Sequence, residues 1–376
     1  MKVCIVGGGN IGTALACYIK YTDDKKRVSL LTNHPRQFSK ELKCNDIEQG
    51  ITYVAELDVV SDDASLAADK ADIVFIALPH FAVEKAFEDI APYVADSALI
   101  GVLPGGGGCE FFFHKYFKES VTLFGFQRVP FIARLVNYGQ EVDLKSWKPY
   151  SVVGTLKKDV MDEVCRYVES CGLKVKKAQN YLAVSLTPTN PVLHTARIYD
   201  LFSKYSREHE FTTPFKFYVG WTDTASRVLF SMDEELHRLL EAITEIDTSA
   251  IKPLSEHYEV HSVQEMTAKI NSIEAFQTIY VPLKKVSGKT TSYVVNTNSR
   301  FFIEDFSWGL AIMRSFCKLF DIEAPTMDKV LSWYADFMGL EWYIEGKFIG
   351  RDLKNTGIPQ RYGIETKEEL LSFYMQ

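Results

Sequence analysis

Six residues near the start, Gly7-Gly8-Gly9-Asn10-Ile11-Gly12, constrain this chain more than any other stretch. They come after the apolar run Lys2–Val6 and open a segment, residues 11–20, whose apolar positions recur at helical spacing. The pattern G-x-G-x-x-G is weak in isolation, but between a strand and a helix it has a mechanical meaning. Gly7 permits the tight turn, Gly9 lets the backbone approach a pyrophosphate, and Gly12 lets the helix lie close on the strand. The amides of the first helical turn, at Asn10 and Ile11, then face the phosphates, and the helix dipole adds attraction. Lys2 ahead of an apolar stretch imitates a secretory signal. A signal's apolar region, however, rarely holds three consecutive glycines, so a dinucleotide-binding turn is the better reading.

The chain beyond the turn keeps the rhythm that such a turn demands. Short, nearly continuous apolar runs recur at residues 28–32, 73–78, 98–103 and 121–126, with a helical pattern over 83–93. Runs of this kind read as strands buried on both faces. A further strand at 150–154, a helix over 159–171 and a strand at 174–177 continue the alternation. Beyond Ser185 strand-like runs become scarce. Residues 225–246 carry Val228, Leu229, Met232, Leu236, Leu239, Leu240 and Ile243 on one helical stripe, and 308–320 and 327–338 behave alike. The expected fold is therefore an α/β Rossmann-type, doubly wound N-terminal domain over 1–183 and a mostly α-helical C-terminal domain over 184–376, joined near residues 180–191.

Composition narrows the class of function. A net charge of −7 and the lack of a long Lys/Arg block argue against nucleic acid as a partner. No apolar run approaches the ~20 residues needed to span a bilayer, so no membrane partner is expected. The seven cysteines form no C-x-x-C pair and show no metal-ligand spacing. A reduced, cytoplasmic compartment and no metal are the expectation.

The second strand normally ends near an acid that binds the adenosine ribose. Here the sequence reads Leu30-Leu31-Thr32-Asn33-His34-Pro35-Arg36, without Asp or Glu. Asn33 would bond the ribose. Arg36 either points into solvent or pairs with a 2′-phosphate, so NAD or NADP is expected with a lean to NADP. Leu78-Pro79 closes the strand at 73–78, where a cofactor would lie. The run 105–108 after the strand at 98–103 reads either as open backbone beside the nicotinamide or as a mobile loop. His80 is more readily structural than catalytic.

A dehydrogenase acting on a carbonyl needs a proton donor, and histidine suits neutral pH. His194, in Asn190-Pro191-Val192-Leu193-His194-Thr195, stands where the two domains should join. A second polar cluster, Asn296-Thr297-Asn298-Ser299-Arg300-Phe301-Phe302-Ile303-Glu304-Asp305, precedes an apolar helix. Arg300 would hold a carboxylate with its planar fork, or simply pair with Glu304 or Asp305. Asp305 would orient an imidazole, or simply cap a helix.

Together these segments resemble the octopine/nopaline dehydrogenase family, the opine dehydrogenases, along essentially the whole chain. The most specific parts are Asn190-Pro191-x-x-His194-Thr195; Phe217-Tyr218-x-Gly220 with Thr222, Arg227 and Asp233-Glu234; and Arg300-Phe301-Phe302-x-Glu304-Asp305 with Gly309-Leu310, Ala324-Pro325-Thr326-x-Asp328 and Trp333-Tyr334. The resemblance implies NAD(P)H-dependent reductive condensation of an α-keto acid, often pyruvate, with the amino group of an amino acid. It also implies His194 as the acid/base, Asp305 as its charge partner and Arg300 as the carboxylate clamp. Phe306-Ser307-Trp308 departs from the family's more usual Ile-Pro-aromatic segment, which puts the shape of the substrate wall in doubt. The implied partners are these small molecules, and the assembly is open between monomer and homodimer. Two rivals share the fold: a reductase of simple keto acids, similar to ketopantoate reductase, and a non-enzymatic dinucleotide-binding protein.

Overall fold

The computed structural model describes residues 1–375. The chain divides into two compact units, Met1–Ser185 together with the tail from Ser372, and Leu186–Leu371. The sequence pattern sets the limit at 183/184 and assigns the whole C-terminal end to the second domain; the structure moves the tail. It joins the first unit because the Tyr374 ring is buried there with Phe373 packed beside it. The Tyr374 hydroxyl donates to Glu110 Oε1 at 2.8 Å, and Phe373 lies 5.3 Å from Phe111.

In the first unit the strands are β1 (Lys2–Val6), β2 (Arg27–Leu31), β3 (Glu41–Asp46), β4 (Ile51–Glu56), β5 (Val59–Ser61), β6 (Ile73–Ile76), β7 (Leu99–Val102), β8 (Thr122–Phe126), β9 (Phe131–Asn137), β10 (Glu141–Trp147), β11 (Ser151–Thr155) and β12 (Val175–Lys177). The larger sheet runs β12-β11-β8-β7-β6-β1-β2-β5. It is parallel from β5 through β8; β11 alone pairs antiparallel, with β8. Strand order reverses at β1, which has β2 on one side and β6 on the other. That switch point is where open α/β sheets place a ligand.

The smaller sheet, β4-β3-β10-β9, is not legible in the sequence pattern. Its strands alternate rather than run apolar. Leu42 and Cys44 point inward while Glu41 and Lys43 are exposed, and Val142 and Leu144 repeat the pattern. Such strands bury one face only, and their charged residues hide them among the loops. The buried face covers the helix Asn10–Thr22. Cys17 Sγ donates to Leu42 O, and Tyr18 packs at 4.8 Å against Trp147. Covered by both sheets, that helix is apolar on nearly every side: Gly12 through Cys17, and Ile19, are buried.

The second unit is mostly helical, with one short hairpin, Leu283–Lys285 against Tyr293–Val295. The helix expected over 225–246 spans Asp223–Ala242, where Thr222 accepts from the Ala225 amide as its cap. The one expected over 308–320 divides into a wide π turn, Phe306–Leu310, and the α-helix Ala311–Leu319. Several residues of the family resemblance are braces here. Asp233 accepts from the Leu254 amide at 2.7 Å. Arg314 grips both oxygens of Asp328 at 2.5 and 3.0 Å. Between them on the chain, Glu235 takes the Thr326 and Met327 amides at 2.7 and 2.9 Å, filling the open end of the helix Pro325–Met338. Among the described residues no helix is long and apolar enough to cross a membrane.

Candidate active site

The glycine turn is built as its spacing demands. Gly7 takes φ +110°, a conformation closed to most side chains, and its amide donates to Leu31 O at 2.9 Å. A Cβ on Gly12 would stand 1.8 Å from Gly7 O, so the helix can lie this close only with glycine there. At Gly9 a Cβ would meet nothing within 4 Å, and the residue is exposed. That is the open backbone a pyrophosphate needs. The first helical turn carries no acidic residue to repel it. The residues present therefore fit a dinucleotide. The Asn10 side-chain Oδ1 accepts from the Leu135 amide at 2.8 Å, which ties the turn to β9 and leaves the Asn10 backbone amide to its expected part.

Neighbouring strand ends complete this edge. Leu78 packs its Cδ2 against Gly7, and Pro79 leads into the short turn His80–Ala82. Beyond β2, Asn33 and Arg36 are both exposed and no carboxylate lies between them in the chain. The glycine run after β7 is packed, which decides against a mobile loop. Gly105, Gly107 and Gly108 are buried, and Tyr181 OH donates to Gly105 O at 2.9 Å. His80 Nε2 lies 3.3 Å from Pro104 O, and its ring fills the space where Gly107 would carry a Cβ. That arrangement supports the structural reading of His80.

In the second unit, two residues 111 positions apart meet. His194 Nδ1 lies 2.8 Å from Asp305 Oδ2, with both side chains nearly buried at 12% and 9% exposure. Asp305 makes no capping bond, so its alternative as a helix cap is set aside. The helix Asn190–Phe202 presents His194, and Pro191 in its first turn fixes its start. Asp305 reaches the imidazole because the chain beyond it lies close to that helix: a Cβ on Gly309 would stand 2.7 Å from Pro191 Cγ. The imidazole is walled by Phe301 at 4.8 Å and Phe217 at 5.6 Å. A carboxylate on Nδ1 holds the proton there and leaves Nε2 as the ring nitrogen that faces away from the pair.

Arg300 is not drawn into this pair. Its Nε bonds Glu304 Oε2 at 3.0 Å, one of the two ion pairs weighed from the sequence, and 63% of its side chain is exposed. Two residues without a role in the sequence reading stand at the centre instead. The Tyr218 hydroxyl lies 2.7 Å from His194 Nε2. Arg197, one turn beyond His194, donates to Phe217 O at 2.7 Å and Val219 O at 3.2 Å, the carbonyls on either side of Tyr218. Asp200 steadies its guanidinium at 2.8 Å. An arginine three positions after a candidate catalytic histidine was the available signal.

Two family models match parts of the chain. Residues 177–338 match the model described as NAD/NADP octopine/nopaline dehydrogenase, alpha-helical domain, and residues 3–133 match that of ketopantoate reductase. Octopine dehydrogenase from Pecten maximus is 24% identical over 400 residues, covering 99% of each chain. Tauropine dehydrogenase from Arabella iricolor is also 24% identical, covering 98% of this chain and 99% of its own. A solved structure of octopine dehydrogenase with NADH and L-arginine shares the fold at a TM-score of 0.82 and 23% identity, covering 99% of this chain and 98% of that one. Fold, glycine turn and matched domains together define an NAD- or NADP-dependent oxidoreductase acting on CH–NH donors. Over residues 177–338 the chain matches the octopine/nopaline dehydrogenase family model, and along its full length it is similar to octopine and tauropine dehydrogenases.

Proposed function

We propose that this protein joins an α-keto acid, pyruvate or a close analogue, to the amino group of an amino acid, reduces the imine with NAD(P)H, and catalyses the reverse. The observation that carries the proposal is the His194–Asp305 contact at 2.8 Å. Forming a carbinolamine and expelling its hydroxyl both need a proton moved, and one imidazole serves in each direction. Asp305 fixes the ring's orientation. Arg300 would take the keto acid's carboxylate on its fork, Glu304 engaging only Nε. Gly7, Gly9 and Gly12, the amides of Asn10 and Ile11, and Leu78 and Pro79 would hold the coenzyme, whose nicotinamide supplies the hydride. Exposed Asn33 and Arg36, with no acid beside them, support a lean towards NADP. Seven free, buried cysteines fit a reducing compartment, and the cytoplasm is the proposed location.

A matrix of keto acids against amino acids, with NADH and NADPH oxidation followed separately, tests the reading. Turnover that needs both partners is the expected result. Turnover independent of the amine would support the simple keto-acid reductase, a rival favoured by the match over residues 3–133. Coenzyme binding without turnover across the matrix would support a non-enzymatic role.

A further inference from the structure

We propose that Tyr218 is the terminal proton donor of this site, and that His194 acts on the substrate through it. The proposal rests on the condensation chemistry proposed above and deepens it. Asp305 holds Nδ1, so the neutral imidazole turns a lone pair at Nε2 towards the phenol, and the charged ring turns an N–H. Either way the contact at 2.7 Å occupies the working nitrogen.

Neither ring is placed to swing aside. The imidazole is tied to Asp305 and packed against Phe217 and Phe301. Tyr218 stacks on Phe276 at 4.0 Å and 15°, lies near-parallel to Trp221 at 6.2 Å, and meets Phe217 edge-on at 4.8 Å. Its backbone is held on both sides by Arg197. A substrate oxygen approaching Nε2 in line would have to displace one of these clamped rings. A phenol, by contrast, accepts one proton while giving another, so no displacement is needed.

The proton on Nε2 passes to the phenolic oxygen, and the phenolic proton passes to the carbinolamine hydroxyl. The C–O bond breaks with its electron pair leaving as water, while the nitrogen lone pair forms the C=N bond. Imidazole ends neutral, the phenol is regenerated and Asp305 stays ionised. The reverse direction uses the same path.

The test uses the full-length enzyme and the keto acid–amino acid pair that the matrix selects. Tyr218→Phe keeps the ring stack and removes only the oxygen. The expected result is a fall in kcat on the order of 100-fold or more, with KM for both substrates and coenzyme affinity by fluorescence titration nearly unchanged. A Tyr218→Phe enzyme with wild-type kcat overturns the relay and leaves the proposed reaction standing. A wild-type enzyme idle across the whole matrix instead overturns the reaction. A second measurement needs no variant. Under conditions where imine formation limits the wild-type rate, so that 4-deuterated coenzyme gives no primary isotope effect, the rate is followed against the D2O fraction. Two protons moving together give a curved dependence; a straight line, indicating one proton, overturns the relay.

Discussion

The glycine turn and the His194 cluster, the two regions proposed to hold the coenzyme and to move the proton, are built in opposite ways. The turn is contiguous: six residues, a strand before and a helix after, with each glycine's duty settled by its immediate neighbours. The cluster draws on residues 194, 218 and 305, which share no local pattern, and it exists only because helices pack. A local device fails when one of its own atoms is wrong. An assembled one fails when a supporting contact elsewhere is lost.

Four outcomes put that contrast at risk. The largest is His194→Ala, expected to lower turnover by roughly 100- to 10,000-fold while dinucleotide affinity stays near wild type. Retained turnover, or lost coenzyme affinity, would mean the two regions are not separate devices. Gly12→Ala comes next. Its Cβ collides with the Gly7 carbonyl, and we expect a loss of about 3 kcal/mol, read in denaturant melts, together with loss of dinucleotide binding.

The third concerns a brace of the helical unit. Burial first, and the Glu234 charge second, push the Asp233 carboxyl up to about 7, against the Leu254 amide that favours its ionised form. The folded value lies above the ~3.9 of an unfolded aspartate, so the fold keeps a proton that the unfolded chain releases. This contribution is complete below the unfolded value and is lost as pH rises towards and through 7. Asp233→Asn should flatten that part of the stability-against-pH curve, whose slope is at most about 1.4 kcal/mol per pH unit; an unchanged slope would count against the assignment. The smallest effect on stability belongs to Gly9→Ala. The backbone there is extended and the space open, so melting should shift by less than about 0.5 kcal/mol, while dinucleotide affinity falls at least several-fold. Intact affinity would show that no phosphate approaches Gly9.

The same contrast explains what is legible along the chain. The strands of the large sheet are legible because burial on both faces leaves unbroken apolar runs such as Lys2–Val6 and Ile73–Ile76. The small sheet escapes notice because half of each strand faces water and reads like a loop. His194 and Asp305 are legible only by resemblance, since periodicity alone leaves both with ordinary structural alternatives. Arg300 follows the family pattern in position, and its Nε is bonded to Glu304, the pairing its sequence neighbours also offered.

The order of amino acids alone settles the dinucleotide turn, the two kinds of domain and the residue types the chemistry draws on, because these depend on neighbours within a few positions. Which nitrogen of His194 is held, which hydroxyl meets the other, and that Arg197 presents that hydroxyl are settled only once the chain has folded. Hydrogen bonds of this kind depend on where whole helices come to rest, and that placement is a property of the packed core rather than of any short stretch of chain.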